Sequence, residues 1–315
     1  MSNKILAIKE EVKKIIVGQE ELIEAMLIGL LSEGHILIEG VPGLAKTTAI
    51  NAISKALGLD SKRVQFTPDL LPSDVTGTEI YDPKNGEFKI KQGPIFTNLL
   101  LADEINRAPA KVQAALLEVM QERQVTIGDT TFKIDKPFLV LATQNPVEQE
   151  GTYPLPEAQL DRFMLKVVVG YNSAKEEVEI VKRVAKKEFE EVAQVASKED
   201  IFAMQKEVEA VHMDEALLEY IVSIIYATRE PKEYGLGELA EYVEFGASPR
   251  ASINLYKAAK AKAYIDGKDY VTPLDIASVA SDVLRHRIIL NYKAQAANIT
   301  TDEVIKKILD KLPLP

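Results

Sequence analysis

The sequence predicts an α/β fold, a five-stranded parallel sheet between helices, followed by a smaller all-helical unit. Three observations predict it. Five short apolar or β-branched runs punctuate the first half: HILIE (35–39), RVQF (63–66), NLLLAD (98–103), FLVLAT (138–143) and LKVVVG (165–170). Their hydrophobicity is continuous rather than alternating, which marks strands covered on both faces, as in a parallel sheet. From about Asn172 onward helical patterns follow one another and no strand pattern intervenes. With 315 residues, more than twice the ~150 of one compact domain, two domains are expected: 1–171 and 172–315.

The elements justify themselves in order. Ahead of the first strand, QEELIEAMLIGLLSEG places Leu22, Ile23, Met26, Leu27, Leu30 and Leu31 at helical spacing, with Gly34 as the expected stop. After it, KTTAINAISKALG sets Ile50, Ile53 and Leu57 on one helix face. Two segments break the strand and helix alternation. GTEIYDPKNGEFKI (77–90) has two strand-like arms around Asn85-Gly86, a hairpin signal, and QVTIGDTTFKI (124–134) is expected to turn near Gly128-Asp129. On sequence alone each hairpin reads equally as surface decoration. The second unit is expected to hold helices over SAKEEVEIVKRVAKKEF, KEDIFAMQKEVEAV, DEALLEYIVSIIYATRE, PRASINLYKAAKAKAYIDG, TPLDIASVASDVLRHRIIL and TDEVIKKILDKL, with 230–248 as its longest irregular stretch.

Composition narrows the chemistry. Apolar residues make up 46% and charged residues 27%, a globular balance. The absence of cysteine removes disulfides, thiolate metal sites and a cysteine nucleophile. His35, His212 and His286 are too scattered to suggest a histidine-rich metal site. The formal net charge of −10, with no long Lys/Arg block, argues against a nucleic-acid partner. No uninterrupted apolar segment suits a signal peptide or a membrane span, so cytoplasmic residence without membrane insertion is expected.

The chemistry centres on GVPGLAKTT (40–48). In the phosphate-loop pattern G-x-x-x-x-G-K-[ST], Gly40, Gly43, Lys46 and Thr47 fit, while Ala45 stands where the last glycine is expected. The context is the required one, a strand before and a helix after. Glycine is obligatory only where φ is positive or a Cβ would strike the ligand, and the residue before the lysine is already entering a helix, so Ala45 is compatible. Backbone N–H groups of residues 43–48 would converge on phosphates at a helix N-terminus, Lys46 would face the β and γ phosphates, and Thr47 would bind magnesium. LLLADE (99–104) then reads as a strand ending in a magnesium-side carboxylate, Asp103, and a water-orienting one, Glu104; a helix N-cap is the alternative for this pair in isolation. Asn145 in ATQNP, otherwise a turn residue, falls at the tip of the next strand, where parallel sheets place ligands. Arg162 and Arg250, surface arginines by default, could supply positive charge to phosphoryl transfer.

GVPGLAKT, QFTPDLLPSDVTG, LLLADEINRAP, ALLEVMQERQVTI, ATQNPVEQEGTYPLPEAQLDRF, GASPRAS and VLRHRI together resemble the MoxR family of AAA+ ATPases over nearly the whole chain. The resemblance implies an AAA+ P-loop core with a helical lid, and ATP with Mg2+ as cofactors. It implies that Val17, Gly18 and Gln19 line the adenine pocket. It likewise makes Gly40 to Thr48, including Pro42, Gly43, Leu44, Ala45, Lys46, Thr47 and Thr48, the Walker A loop, and Asp103 with Glu104 the Walker B pair. Asn145 resembles sensor 1, Arg250 the lid's sensor 2, and Arg162 the arginine finger for a neighbour, with Arg107 ranked after Arg162 at the interface. Residues 77–90 are similar to the helix-2 insert and 124–134 to the pre-sensor 1 hairpin. Members imply a hexameric ring, a client protein and a von Willebrand factor A domain partner. Two rivals stand beside this: a nucleic-acid translocase of the same insert-bearing branch, and an ATP-gated scaffold that does not hydrolyse.

Overall fold

The computed structural model describes residues 3–41, 46–146, 151–186 and 190–315. Helices α1 (Asn3–Lys13) and α2 (Glu20–Leu31) precede β1 (Ile36–Glu39), and α3 (Lys46–Leu57) leads to β2 (Ser61–Gln65). A short α4 (Pro72–Thr76) enters the hairpin β3 (Gly77–Asp82) and β4 (Glu87–Gln92). After β5 (Leu99–Asp103) and α5 (Ala110–Glu122) comes the second hairpin, β6 (Gln124–Ile127) and β7 (Thr130–Lys133). Then follow β8 (Leu139–Gln144), α6 (Glu157–Leu160) and β9 (Leu165–Val168).

Strands β2, β5, β8, β1 and β9 form one parallel sheet in that order. The continuous apolar runs are explained by burial on both sides. Ile36, Ile38, Leu99, Leu101, Leu139 and Leu141 face a core shared with α1, α2 and α3. Leu37, Leu100, Ala102, Val140 and Ala142 face a second core with Phe66 and the α5 residues Val112, Leu116 and Leu117. β2 differs because it is the edge strand: among the described residues only β5 pairs with it, and Lys62, Arg63 and Gln65 are exposed. Both expected hairpins are present. In the first, Tyr81 and Phe88 are exposed and their rings lie 5.4 Å apart.

The C-terminal part contains α7 (Ala174–Lys186), α8 (Lys198–Ala210), α9 (Glu215–Arg229), β10 (Val243–Phe245), α10 (Pro249–Ile265), α11 (Pro273–Leu284), β11 (Ile289–Leu290), α12 (Tyr292–Ala296) and α13 (Thr301–Lys311). It is therefore not purely helical. β10 and β11 pair antiparallel through Val243 with Leu290 and Phe245 with Ile289. The helix expected over 272–290 stops at Leu284, because the chain turns there so that His286 and Arg287 can bond the carbonyls of Phe163 and Met164. The apolar core beneath α1 to α3 runs on into α8, α9, α10, α11 and α13.

Gly34 is also not a simple helix stop. α2 ends at Leu31, and a Cβ on Gly34 would lie 2.2 Å from the Met164 sulfur, so glycine is needed for the close approach of this turn to β9. Among the described residues no helix is long and apolar enough to cross a membrane.

Candidate nucleotide site

Parallel pairing fixes which residues meet at the carboxyl edge of the sheet. Gln65 lies opposite Asp103, Ala102 opposite Ala142, and Glu39 opposite both Gln144 and Val168. Glu104, Asn145 and Gly40 follow directly on β5, β8 and β1, so all three emerge on that one edge. The Gly40 N–H donates to the Gln144 carbonyl at 3.2 Å. A Cβ on Gly40 would lie 2.7 Å from the Val169 carbonyl oxygen, which is why the chain enters the loop through glycine. Pro42, Gly43, Leu44 and Ala45 lie outside the described residues.

Lys46 opens α3, and its Nζ donates to the Gly40 carbonyl at 2.7 Å, which brings the side chain back to the residue that follows β1. Burial pulls its pKa below lysine's ordinary value, and the charges of Asp103 and Glu104 push it back up. Thr47 and Thr48 are the next two residues of α3; Thr47 is half-buried and Thr48 exposed.

The two carboxylates are anchored by a residue that the sequence did not single out. The buried Thr143 hydroxyl donates to Asp103 Oδ1 at 2.6 Å and accepts the Glu104 N–H at 2.8 Å. Glu104 itself is left-handed, at φ 56°, so the chain turns sharply where β5 ends. Two further residues come from β2. Arg63 Nη2 and Nε lie 2.6 and 3.1 Å from Asp103 Oδ2, and Gln65 Nε2 donates to Glu104 Oε2 at 2.7 Å. Arg107 Nε meets the same Glu104 oxygen at 2.9 Å. Arg63 and Gln65 project from one face of an edge strand, and their i, i+2 spacing was the available signal.

This donor set fits a magnesium nucleotide. Asp103 and the Thr47 hydroxyl are oxygens suited to magnesium, which is bound through one or two protein oxygens plus phosphates. A guanidinium already lies against Asp103 Oδ2, so the carboxylate sits in a position that attracts a cation. Asn145 is buried at the tip of β8.

The expected adenine segment borders a cleft of about 420 Å³. Gly18 and Gln19 form one wall, and residues 167–172, the end of β9 and the turn beyond it, form the other. Gln19 Nε2 donates to Asn172 Oδ1 at 2.6 Å and to the Gly170 carbonyl at 3.1 Å, while Asn172 Nδ2 donates to the Val17 carbonyl at 2.9 Å. Gly18 and Gln19 both have positive φ, 72° and 57°, which turns the segment around this wall.

Among the described residues neither of the two remaining arginines bonds to a residue of the sheet edge. Arg250, in the first turn of α10, points to Asp161, 3.1 Å away. Arg162 is half-buried in the turn between α6 and β9, and its side chain makes no hydrogen bond or ion pair among the described residues.

A parallel sheet ordered 2-5-8-1-9 in these labels, a lysine opening the helix after β1, and two carboxylates ending β5 define a P-loop NTPase of the AAA+ class. Residues 35–165 match the family described as ATPases associated with various cellular activities, and residues 238–308 match the AAA lid domain. The chain is 51% identical to Chaperone MoxR1 of Mycobacterium tuberculosis, over 97% of this chain and 81% of that one. It is 45% identical to the uncharacterized protein YeaC of Bacillus subtilis, over 97% and 93% of the two chains. A crystal structure from Cytophaga hutchinsonii, of a protein provisionally assigned as an ATPase, superposes with a TM-score of 0.94 at 54% identity over 99% of this chain and 95% of that one. The chain belongs to the MoxR family of AAA+ ATPases.

Proposed function

We propose that this chain binds ATP with Mg2+, hydrolyses it at the interfaces of a ring of its own copies, and uses the closing of its C-terminal unit to remodel a client protein. The observation that carries this reading is the gathering of Lys46, Asp103, Glu104 and Asn145 at one edge of the sheet, with Thr143 anchoring both carboxylates. Lys46 provides the counter-charge for the β and γ phosphates, and residues 40–48 wrap them. Thr47 and Asp103 hold the magnesium ion, which when bound neutralises charge developing on the phosphate oxygens. Glu104 orients the attacking water, and Asn145 faces the γ-phosphate. Val17, Gly18 and Gln19 border the base, Arg250 reaches in from the lid, and Arg162 completes a neighbour's site, with Arg107 second to it.

The chain is taken as two units, 1–171 and 172–315, the second acting as the lid. The ring is taken as hexameric, the two hairpins as its client-facing elements, and a protein with a von Willebrand factor A domain as its partner. The relative named a chaperone supports a protein client. So does the charge of the first hairpin, where Lys89 is already paired with Asp82 at 2.5 Å rather than free for a phosphate backbone.

Glu104→Gln separates binding from chemistry. It is expected to retain ATP affinity while turnover falls by about 10²- to 10⁴-fold. Near-normal hydrolysis by that variant sinks the assignment, and the same measurement on the unaltered chain disposes of the scaffold reading if it turns over ATP.

A further inference from the structure

Asp161 sits in the turn between α6 and β9, next to Arg162, and collects donors from the far C-terminal part of the chain. Its Oδ1 accepts from Arg287 Nε at 2.7 Å. Its Oδ2 accepts from Arg250 Nη1 at 3.1 Å and from the Ser248 hydroxyl at 3.2 Å. The two arginines differ in kind. Arg287 has a side chain 1% exposed, and its remaining N–H groups go to the carbonyls of Asp161, Phe163, Met164 and Val283. It is a fixed clamp, whose charge is tolerable in the interior only because a carboxylate and these carbonyls compensate it. Arg250 has a side chain 47% exposed and a single bond to the carboxylate, so it can be exchanged for another anion.

We propose that Asp161 is a positioning residue, a latch that holds Arg250 away from the nucleotide and yields it when a γ-phosphate arrives. This rests on the reading that Arg250 contacts bound ATP. The exchange is driven by charge. The γ-phosphate carries more negative charge than one carboxylate and offers several acceptor oxygens to a guanidinium. ADP lacks that group, so it leaves Arg250 on Asp161. The exchange removes one of the two cations that hold residue 161, the immediate neighbour of Arg162. Arg287 keeps the turn in place throughout.

A latch that competes with the γ-phosphate weakens ATP binding selectively. The test is calorimetric binding of ATPγS and of ADP to the full-length chain, to Asp161→Asn, to Arg250→Ala and to the double variant. Asparagine keeps the oxygen that Arg287 needs and removes the charge that retains Arg250. The half-exposed pair corresponds to roughly a two- to five-fold effect. Asp161→Asn is expected to bind ATPγS tighter by that factor with ADP unchanged, and the gain is expected to vanish in the Arg250→Ala background. An unchanged ratio of ATPγS to ADP affinity, equal shifts for both nucleotides, or a gain that persists without Arg250 overturns the latch. If Asp161→Asn does not fold, Ser248→Ala, which removes the donor competing with Arg250 for Oδ2 and leaves the carboxylate charge in place, carries the test: a selective loss of ATPγS affinity supports the latch and none overturns it. Failure of the unaltered chain to bind ATPγS at all overturns instead the nucleotide reading on which the latch rests.

Discussion

His35 makes the sheet that carries the site sensitive to acid, and the amount can be worked out. It precedes β1, is 5% exposed, and its two ring nitrogens have opposite roles: Nε2 lies 3.0 Å from the Met120 carbonyl, and Nδ1 accepts the Val140 N–H of β8 at 3.0 Å. Only the neutral ring tautomer with its proton on Nε2 satisfies both, because a protonated Nδ1 would face another donor. Burial, with the Arg123 charge adding to it, lowers the pKa from 6.5 to about 3. Above pH 6.5 neither the folded nor the unfolded state holds the extra proton, and stability does not depend on this group. Between pH 6.5 and about 3 the unfolded chain binds a proton that the folded chain refuses, so stability falls as pH falls, by about 1.4 kcal/mol per pH unit. Across the whole window this amounts to roughly 5 kcal/mol, comparable with the entire stability of a marginal domain. His35→Gln can donate to Met120 and accept from Val140 without titrating. Urea unfolding of both proteins from pH 7 to 5 is expected to show a pH dependence weaker in His35→Gln by roughly 1 kcal/mol between pH 6 and 5. His286, also buried with a lowered pKa, contributes equally to both proteins and cancels. Parallel slopes for the two proteins would refute the reasoning.

Two other outcomes follow from the site. Arg63→Gln removes a cation from Asp103 Oδ2 and is expected to lower the Mg2+ concentration for half-maximal nucleotide binding by about two- to five-fold, the scale of a partly exposed ion pair. A higher requirement would mean that Arg63 supports the metal side rather than competing with it. Single-stranded DNA binding, measured by fluorescence anisotropy from 50 to 300 mM salt, is expected to be weak and without a steep salt slope; tight binding with a steep slope would favour the translocase reading.

The sheet was legible because parallel strands buried on both faces carry continuous apolar runs, as Leu99–Asp103 and Leu139–Gln144 do. The hairpins were legible from turn chemistry at Asn85-Gly86 and Gly128-Asp129. The ribbon of β10 and β11 was not, since strands of three and two residues are too short to show any period. The acid pair at the end of β5 and the lysine opening α3 stood out because each sits where a strand or helix ends. What holds them did not. Thr143 reads as one more residue of an apolar strand, and Arg63 and Gln65 fall inside RVQF, where the edge position that exposes them is decided by tertiary pairing. Asp161 was invisible for a different reason: its partners Arg250 and Arg287 lie 89 and 126 residues away, and only the folding of the C-terminal helices against β9 brings them together.

The central claim, that ATP is hydrolysed at a site shared between neighbouring copies, is tested most directly by mixing two inactive variants. On the proposed reading, Lys46→Ala loses the counter-charge for nucleotide and Arg162→Ala the residue offered to a neighbour. Each alone is expected to be nearly inactive. Co-assembled rings, verified by affinity tags on both variants, should regain part of the activity, because some interfaces pair an intact Lys46 site with an intact Arg162. Confirmed mixed assemblies that hydrolyse no more ATP than either parent would contradict the shared site.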